Sequence, residues 1–162
     1  GGADRVIATC SPAKADHARA MGADLVVDYR APDAAEQILA ATRNGIDRIV
    51  EVEFGQNLPI TCKVLKPNGI IASYGSMAVP EPALPFYPMM FASYTLRMIL
   101  VYQLPVEARD EAVMDINRWL AMDALQHPVA EQVPFAEGWK AHAACESNAR
   151  IGAALIDIAP GI

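Results

Sequence analysis

Short apolar runs alternate with longer mixed segments along most of this chain. Runs suited to strands cover residues 5–10, 25–29, 48–54, 70–75 and 95–102. The segments between them carry helix signals. Because buried strands that alternate with helical segments are typical of an open parallel sheet covered by helices, the pattern predicts an α/β fold.

Capping residues mark the boundaries of the first helices. Ser11 can cap a helix that has proline at its first position, and Gly22 can end that helix. Asp33 and Glu36 form a capping box before a second helix that should stop at Asn44-Gly45. A third helix is predicted to follow Asn57-Leu58-Pro59 and to stop at Pro67-Asn68-Gly69.

The second half of the chain carries different signals for helices, strands and loops. Residues 77–93 hold four prolines and no periodicity, which predicts a long ordered loop. Apolar positions lie on one stripe over 105–123, so a helix is predicted there with Trp119 in the core. A strand-like "VAEQVPF", a short helix over 136–147 and the apolar run "RIGAALIDI" follow.

Composition narrows the range of partners. With 162 residues, of which 53% are hydrophobic, the chain is long enough for one domain with a core. The net charge is -6 and the 13 basic residues are dispersed, which argues against nucleic acid. The most apolar region, 84–104, is broken by prolines and Arg97, so we expect no membrane span and a cytoplasmic protein.

Cysteine and histidine spacing does not predict a metal site. Cys10, Cys62 and Cys145 are odd in number and far apart, which suits neither a disulfide framework nor a zinc cluster. The three histidines form no HExxH pattern, so we name no metal ligand.

Residues that follow the strands are the candidates for ligand contacts, because parallel sheets bind ligands outside the carboxyl ends of their strands. After the first strand there is no carboxylate for a ribose. Ser11 lies instead at a helix start that favours an anion, with Lys14 one turn on. This pair suits the 2′-phosphate of NADP; a plain cap and a solvated lysine are the alternative.

Later strand ends add five more residues. Tyr29 closes the second strand and can wall off an adenosine, while a surface aromatic is the alternative interpretation. Phe54-Gly55 follows the third strand, and Gly75 and Ser76 follow the fourth, where glycine permits close approach and serine offers a donor. In the third strand Glu51 and Glu53 share a face, and we interpret them as structural or rim residues.

Several motifs are missing from the chain. There is no GxGxxG, so no loop in these residues can cradle a pyrophosphate in the usual way. There is also no GxSxG or Walker motif, which weakens hydrolase and kinase interpretations. No catalytic residue can be named from the sequence.

Three stretches together resemble the medium-chain dehydrogenase/reductase superfamily, the zinc-type alcohol dehydrogenase-like proteins. They are "RVIATCSPAKADHARAMGADLVVDYR", "GIDRIVEVEFGQNLPITCKVLKPNGIIASYGS" and "AHAACESNARIGAALIDI". The branch that they resemble most is the zinc-independent NADPH:quinone oxidoreductases of the zeta-crystallin type.

The resemblance implies a Rossmann-like, doubly wound parallel sheet that lacks its first strand and Gly-rich loop. Residues 1–124 would be the incomplete dinucleotide-binding domain, and 125–162 a β-α-β tail that belongs to a catalytic domain outside the chain. In the family's strand order, 3-2-1-4-5-6, the missing strand is central, so two unpaired edges are expected. Direct pairing of the second strand with the fourth, a swapped element or a retained upstream piece could close the gap.

The resemblance also implies roles for individual residues. Ser11 and Lys14 match contacts to the 2′-phosphate of NADPH, and Tyr29 matches an adenosine-side contact. The nicotinamide end would be lined by Phe54, Gly75, Ser76 and, as a looser match, Tyr102. The family's substrate pocket corresponds here to the Pro-rich loop around Phe86 and Tyr87.

The functional expectation is a cofactor-domain fragment of an NADPH-dependent oxidoreductase that transfers hydride to a quinone or an α,β-unsaturated carbonyl. The fragment alone is expected to be inactive and to bind NADPH weakly or not at all. Strand 95–102 would form a homodimer with its copy. The alternatives are a zinc-dependent alcohol dehydrogenase of the same superfamily and a non-catalytic remnant that dimerises or binds nucleotide.

Overall fold

The computed structural model describes residues 2–147 and 150–158 and shows alternating strands and helices. The strands are β1 (Ile7–Cys10), β2 (Leu25–Asp28), β3 (Ile46–Glu51), β4 (Leu65–Ser73), β5 (Thr95–Met98), β6 (Val129–Pro134) and β7 (Ala153–Asp157). The helices are α1 (Ala15–Ala20), α2 (Ala34–Ala40), α3 (Phe54–Val64), α4 (Phe86–Phe91), α5 (Val106–Ala121) and α6 (Gly138–Glu146). Short 3₁₀ segments cover Pro12–Lys14, Val101–Gln103 and Phe135–Glu137.

The first sheet pairs β1 with β2 in parallel, with Ile7 opposite Leu25 and Cys10 opposite Asp28. A second sheet has the order β3-β4-β5 and is also parallel. The alternating pattern of the sequence therefore predicts both the α/β class and the parallel pairing, and these predictions are confirmed.

The two sheets share one layer of helices. Val27, Ile38 and Val64 are buried in a cluster on which Ile7 of β1 and Ile49 of β3 pack. A second cluster, centred on the fully buried Ile71 of β4, joins α3 to the β3-β4-β5 sheet. Apolar burial of this kind supplies most of the stabilising free energy of such a unit.

Within the described residues, β1 and β3 do not pair with each other. Direct closure of the gap, which was one of the three expected solutions, is therefore not what this structure shows. The observed orders, β1-β2 and β3-β4-β5, match a doubly wound sheet in which one central place is open.

The predicted helix boundaries agree with the structure to within a few residues at most positions. Gly22 follows α1 with a positive φ of 98°, as an αL residue after a helix should. The Ser11 side chain makes no capping bond to the 3₁₀ segment that it precedes, and the Asp33 carboxylate accepts a bond from the Gln37 side chain rather than capping α2. Helix α3 starts at Phe54, earlier than predicted, and tolerates Pro59 in its second turn. Its predicted end was wrong, because Pro67-Asn68-Gly69 lie within β4.

Two predictions for the middle of the chain are wrong. The Pro-rich segment is not a loop throughout, because residues Phe86–Phe91 form α4. The stripe of α5 is not buried: Val113, Ile116 and Leu120 are exposed, and Trp119 is only half-buried. The periodicity identified the helix correctly, but burial also requires a surface that covers the stripe, and the described residues do not supply it.

The chain divides into two compact units, Gly1–Asp110 and Glu111–Ile162. In the second unit β6 and β7 pair in parallel and α6 connects them, which confirms the β-α-β arrangement expected for the tail. The predicted border between a dinucleotide-binding part and a tail, at residues 124 and 125, stays a prediction.

No helix in residues 2–147 and 150–158 combines the length and the hydrophobicity that a membrane crossing requires.

Candidate functional site

A groove opens at the carboxyl ends of β4 and β5, inside the first unit. Its volume is about 660 Å³. Three of the seven predicted site residues line it, namely Phe54, Gly75 and Ser76. The other lining residues are Ser73, Tyr74, Pro80, Pro82, Leu84, Arg97, Met98, Ile99, Leu100, Gln103, Leu104 and Pro105. We call this cavity the strand-end groove.

The loop after β4 is bonded tightly to the turn after β3. The Tyr74 N–H donates to the Glu51 carbonyl at 3.0 Å, and the Phe54 N–H donates to the Gly75 carbonyl at 3.0 Å. The Ser76 hydroxyl accepts from the Gly55 N–H at 2.9 Å and donates to the Val79 carbonyl at 2.6 Å. The wall of the strand-end groove is therefore a hydrogen-bonded unit rather than a free loop.

Two carboxylates complete this unit, Glu51 at the end of β3 and Glu53 in the turn that follows it. The buried Glu51 carboxylate accepts from the Glu53 N–H at 2.8 Å and from the Asn57 side chain at 2.9 Å. The Glu53 carboxylate accepts from the backbone N–H groups of Met77 and Ala78. Both groups thus satisfy backbone donors, in agreement with the structural interpretation rather than with acid-base chemistry.

Gly55 and Gly75 allow neighbouring backbone segments to pack closely against each other. A Cβ added at Gly75 would lie 2.5 Å from the Val52 carbonyl oxygen, and one at Gly55 would lie 2.5 Å from the Val79 carbonyl oxygen. The expectation that they clear space for a ligand stays a prediction; the crowding here already requires glycine at both positions.

Ser11 and Lys14 lie at the end of β1, as the sequence predicts. Ser11 has an extended backbone and its side chain makes no capping bond. Lys14 is half-buried, and no carboxylate in the described part of the chain pairs with it. The Lys14 N–H donates to the Ser11 carbonyl at 2.9 Å, so both residues lie in one turn after β1.

The structure does not bring all seven predicted residues into one cavity. Tyr29 lines a second cavity next to β1 and has the Arg30 guanidinium 5.1 Å from its ring centre. Tyr102 is 93% exposed and lies outside the strand-end groove, where its neighbour Gln103 is the lining residue. Ser11 and Lys14 line neither the strand-end groove nor the cavity next to β1.

Sequence reasoning missed one charged residue of the strand-end groove. Arg97 is the one charged side chain among the residues that line it. Glu53, which the sequence analysis interprets as structural, bonds to the loop that forms the wall. Arg97 interrupts the apolar run "TLRMIL", and this interruption was the available signal. The expected pocket residues Phe86 and Tyr87 are each 65% exposed in α4, whereas Pro80, Pro82 and Leu84 of the preceding loop line the groove.

Cys62 and Tyr94 form a neutral pair behind the second sheet. Burial raises the pKa of the Cys62 thiol. Burial, and to a smaller extent the charge that Cys62 would carry as thiolate, raise the pKa of the Tyr94 hydroxyl. Tyr94 therefore keeps its proton near neutral pH and donates to the Leu65 carbonyl at 2.8 Å, a structural role next to α3.

No group of three or more histidine, cysteine, aspartate or glutamate side chains in residues 2–147 and 150–158 is arranged to hold a metal ion. These residues do not fit a zinc site, and we derive no step through zinc.

Comparison with known proteins identifies the protein family of this chain. The model of the zinc-binding dehydrogenase family matches residues 1–118, and the chain belongs to this family. This family is part of the medium-chain dehydrogenase/reductase superfamily, and the fold of the chain is that of the superfamily's Rossmann-like cofactor domain.

Individual relatives match this chain over only part of their own length. The trans-enoyl reductase buaC of Petromyces alliaceus is 45% identical over a match that covers 48% of this chain and 29% of that protein. A quinone oxidoreductase structure from Pseudomonas syringae pv. Tomato DC3000 has 21% identity and a TM-score of 0.79, covering 94% of this chain and 49% of that one. CurA from Vibrio vulnificus, solved in complex with NADPH, has 18% identity and a TM-score of 0.78, with 97% and 50% covered. The chain spans less than a third of the curated relatives and about half of these solved structures.

Proposed function

We propose that this chain is the greater part of the cofactor domain of an NADPH-dependent oxidoreductase that reduces a quinone or an α,β-unsaturated carbonyl compound. The observation that carries the proposal is the strand-end groove, which gathers Phe54, Gly75 and Ser76 where the family's fold binds its dinucleotide. The names of the similar proteins support the substrate class, since they include a trans-enoyl reductase and a quinone oxidoreductase. The NADPH complex of CurA supports the cofactor.

The chain's residues would bind and orient the cofactor. Ser11 and Lys14 would contact the 2′-phosphate, and Tyr29 would lie beside the adenosine. Phe54, Gly75 and Ser76 would line the nicotinamide end, with Tyr102 close to the carboxamide. When bound, a reduced nicotinamide supplies the hydride. The hydrogen-bonded wall between Glu53 and Ser76 would keep water out and hold the groove in one shape.

In this proposal Arg97 gives the strand-end groove a positive charge. It is the one charged side chain among otherwise apolar and neutral lining residues, and no carboxylate in the described residues pairs with it. A quinone or enone oxygen gains negative charge as it is reduced, and a nearby guanidinium stabilises such charge.

Lys14→Ala is expected to weaken NADPH binding selectively. In the longer protein of which we propose the chain to be part, the dissociation constant for NADPH should rise about tenfold, because one charge-assisted contact to the 2′-phosphate is lost. The constant for NADH should change less than about twofold, since NADH lacks that phosphate. Fluorescence titration of both cofactors measures the two constants.

Lys66→Ala is the matched control for this substitution. Lys66 is also a surface lysine, and its ammonium pairs with Asp47 at 2.9 Å rather than lying at the end of β1. It should leave both constants unchanged. Equal weakening of NADH and NADPH by Lys14→Ala would contradict the assignment of Lys14 to the 2′-phosphate.

The family's description favours a second candidate, a zinc-dependent alcohol dehydrogenase. In that case the metal ligands would lie outside the described residues. Metal analysis of the longer protein separates the candidates, because one requires stoichiometric zinc for turnover and the other does not. A protein that binds NADPH without any turnover would point instead to the non-catalytic remnant.

We also propose a homodimer formed through β5. The strand predicted over 95–102 is shorter in the structure, because β5 covers Thr95–Met98 and Val101–Gln103 form a 3₁₀ segment. β5 is the edge strand of its sheet, and Met98 is 66% exposed. Such an edge can extend its sheet across a two-fold axis. Sedimentation equilibrium should give twice the chain mass, and Leu96→Pro, which removes an N–H from this strand, should give the monomer mass. Monomer mass for the unaltered chain would contradict the proposal.

A further inference from the structure

The strand-end groove contains one positive charge and no negative charge. Arg97 is the one charged residue that lines it, and neither aspartate nor glutamate occurs among the lining residues. In the described part of the chain the Arg97 side chain forms neither an ion pair nor a hydrogen bond. Its five N–H donors are therefore available to a ligand.

The alternation of side chains along β5 keeps Arg97 out of the core. Leu96 packs on the buried cluster around Ile71. Because successive side chains of a strand point to opposite faces, Arg97 leaves the sheet on the face opposite to Leu96. The guanidinium therefore lines the strand-end groove without a packing role in that cluster.

The rest of the lining is mostly aliphatic. The segment after β5 contributes Leu100 and Leu104, and the loop after β4 contributes Leu84. Leu84 is 49% exposed and Leu100 is 52% exposed. Apolar side chains that line a concave surface and still contact water favour a ligand with an apolar part.

Backbone hydrogen bonds hold the segment that carries these side chains. The Ile99 N–H donates to the Ser73 carbonyl at 2.8 Å, which ties the segment after β5 to the end of β4. The Gln103 N–H donates to the Leu100 carbonyl at 2.9 Å in the 3₁₀ segment that follows. A ligand would meet a formed surface, which lowers the entropic cost of binding.

The single guanidinium restricts the charge of the ligand. A carboxylate carries one negative charge and matches a guanidinium with two parallel N–H···O bonds. A phosphate monoester carries up to two charges at neutral pH, and no second lysine or arginine lines the groove to balance them. The groove volume of about 660 Å³ lies in the range of pockets that hold small molecules.

We propose that the strand-end groove binds an amphipathic carboxylate, with the carboxylate on Arg97 and an aliphatic chain along Leu84, Leu100 and Leu104. Two N–H groups of the guanidinium would bind the carboxylate, and its other donors remain for a neighbouring carbonyl oxygen. The inference rests on the proposed function in one respect: such a ligand is the substrate, an acidic quinone or enone, only if the groove also receives a reduced nicotinamide. Binding of the carboxylate itself requires neither cofactor nor turnover.

The test uses octanoate and 1-octanol, which have chains of the same length and differ in the charge of the end group. Each is titrated into the chain without NADPH, and binding is followed by NMR at the backbone amides. Octanoate should bind about tenfold more tightly than 1-octanol, because it alone makes a charge-assisted contact. The amides that shift should include those of Gly75, Leu100 and Gln103, with the amides of β1 and β7 unchanged.

Arg97→Gln removes the charge, so octanoate should then bind as weakly as 1-octanol. Arg97→Lys keeps the charge but loses the planar fork, and part of the preference for octanoate should remain. Arg43→Gln is the matched control, because Arg43 is also exposed and forms no ion pair in the described residues, but does not line the groove. It should leave both dissociation constants unchanged. Circular dichroism checks that the three variants fold.

Three outcomes would overturn the proposal. One is that octanoate does not bind, or binds no more tightly than 1-octanol. Another is that Arg97→Gln keeps the full preference for octanoate. The third is that octanoate shifts only amides outside the groove. Absence of turnover in the longer protein would instead refute the proposed oxidoreductase function without removing the preference for octanoate, so the two failures are distinguishable.

Discussion

Ile71→Ala should lower the free energy of unfolding by about 2–5 kcal/mol, one of the largest losses available to a single truncation in this chain. Ile71 has 0% exposure and lies in the cluster that joins α3 to the β3-β4-β5 sheet. Removing its outer carbons leaves a cavity that the tightly packed surroundings can close only in part. Urea unfolding followed by circular dichroism measures the change.

Met77→Ala is the control for that truncation. The Met77 side chain is 89% exposed, and the residue contacts Glu53 through its backbone N–H, which alanine retains. Its free energy of unfolding should change by less than about 0.5 kcal/mol. Similar losses for the two variants would show that Ile71 is not in the core.

Gly75→Ala is expected to cost about 1–3 kcal/mol and to loosen the wall of the strand-end groove. The new Cβ would lie 2.5 Å from the Val52 carbonyl oxygen, so one of two backbone segments must move. Movement of residue 75 would stretch the bond that its carbonyl accepts from the Phe54 N–H, now 3.0 Å long. Hydrogen exchange at Phe54 should therefore accelerate together with the loss measured in urea.

The same substitution at Gly138 provides the comparison. A Cβ there would meet only the end of the flexible Ile156 side chain, at 3.3 Å. Since Gly138 begins α6 and alanine favours helix, this variant should be neutral or slightly stabilised. Unchanged exchange at Phe54 in Gly75→Ala would refute the view that this crowding holds the groove wall.

Local sequence patterns were sufficient to predict those elements whose cause lies within a few neighbouring residues. The apolar run 25–29 predicts β2 (Leu25–Asp28) to within one residue, and the stripe over 105–123 predicts α5 (Val106–Ala121) to within two. Gly22 marks the end of α1 because its positive φ is a property of glycine itself. Four prolines suggested an irregular segment throughout 77–93, but proline is tolerated in the first turn of a helix, and α4 forms there.

Three residues of the strand-end groove could be named from the sequence, but the cavity that they line could not. The strand ends pointed to Phe54, Gly75 and Ser76, and the structure brings these three together. The role of Glu53 was out of reach, because its partners Met77 and Ala78 lie 24 and 25 positions away in the chain. No periodicity encodes a contact of that range.

By itself the sequence determined the α/β class, the order of strands and helices apart from α4, and the residues at the strand ends, since hydrophobic period and capping act over a few positions. The tertiary structure alone decided that the stripe of α5 stays exposed, that Glu51 and Glu53 serve backbone donors, and that β1 and β3 face one groove across an open place in the sheet. Burial, hydrogen-bond partners and strand neighbours depend on which distant segments meet. That is set by packing of the whole unit and not by any short stretch of it.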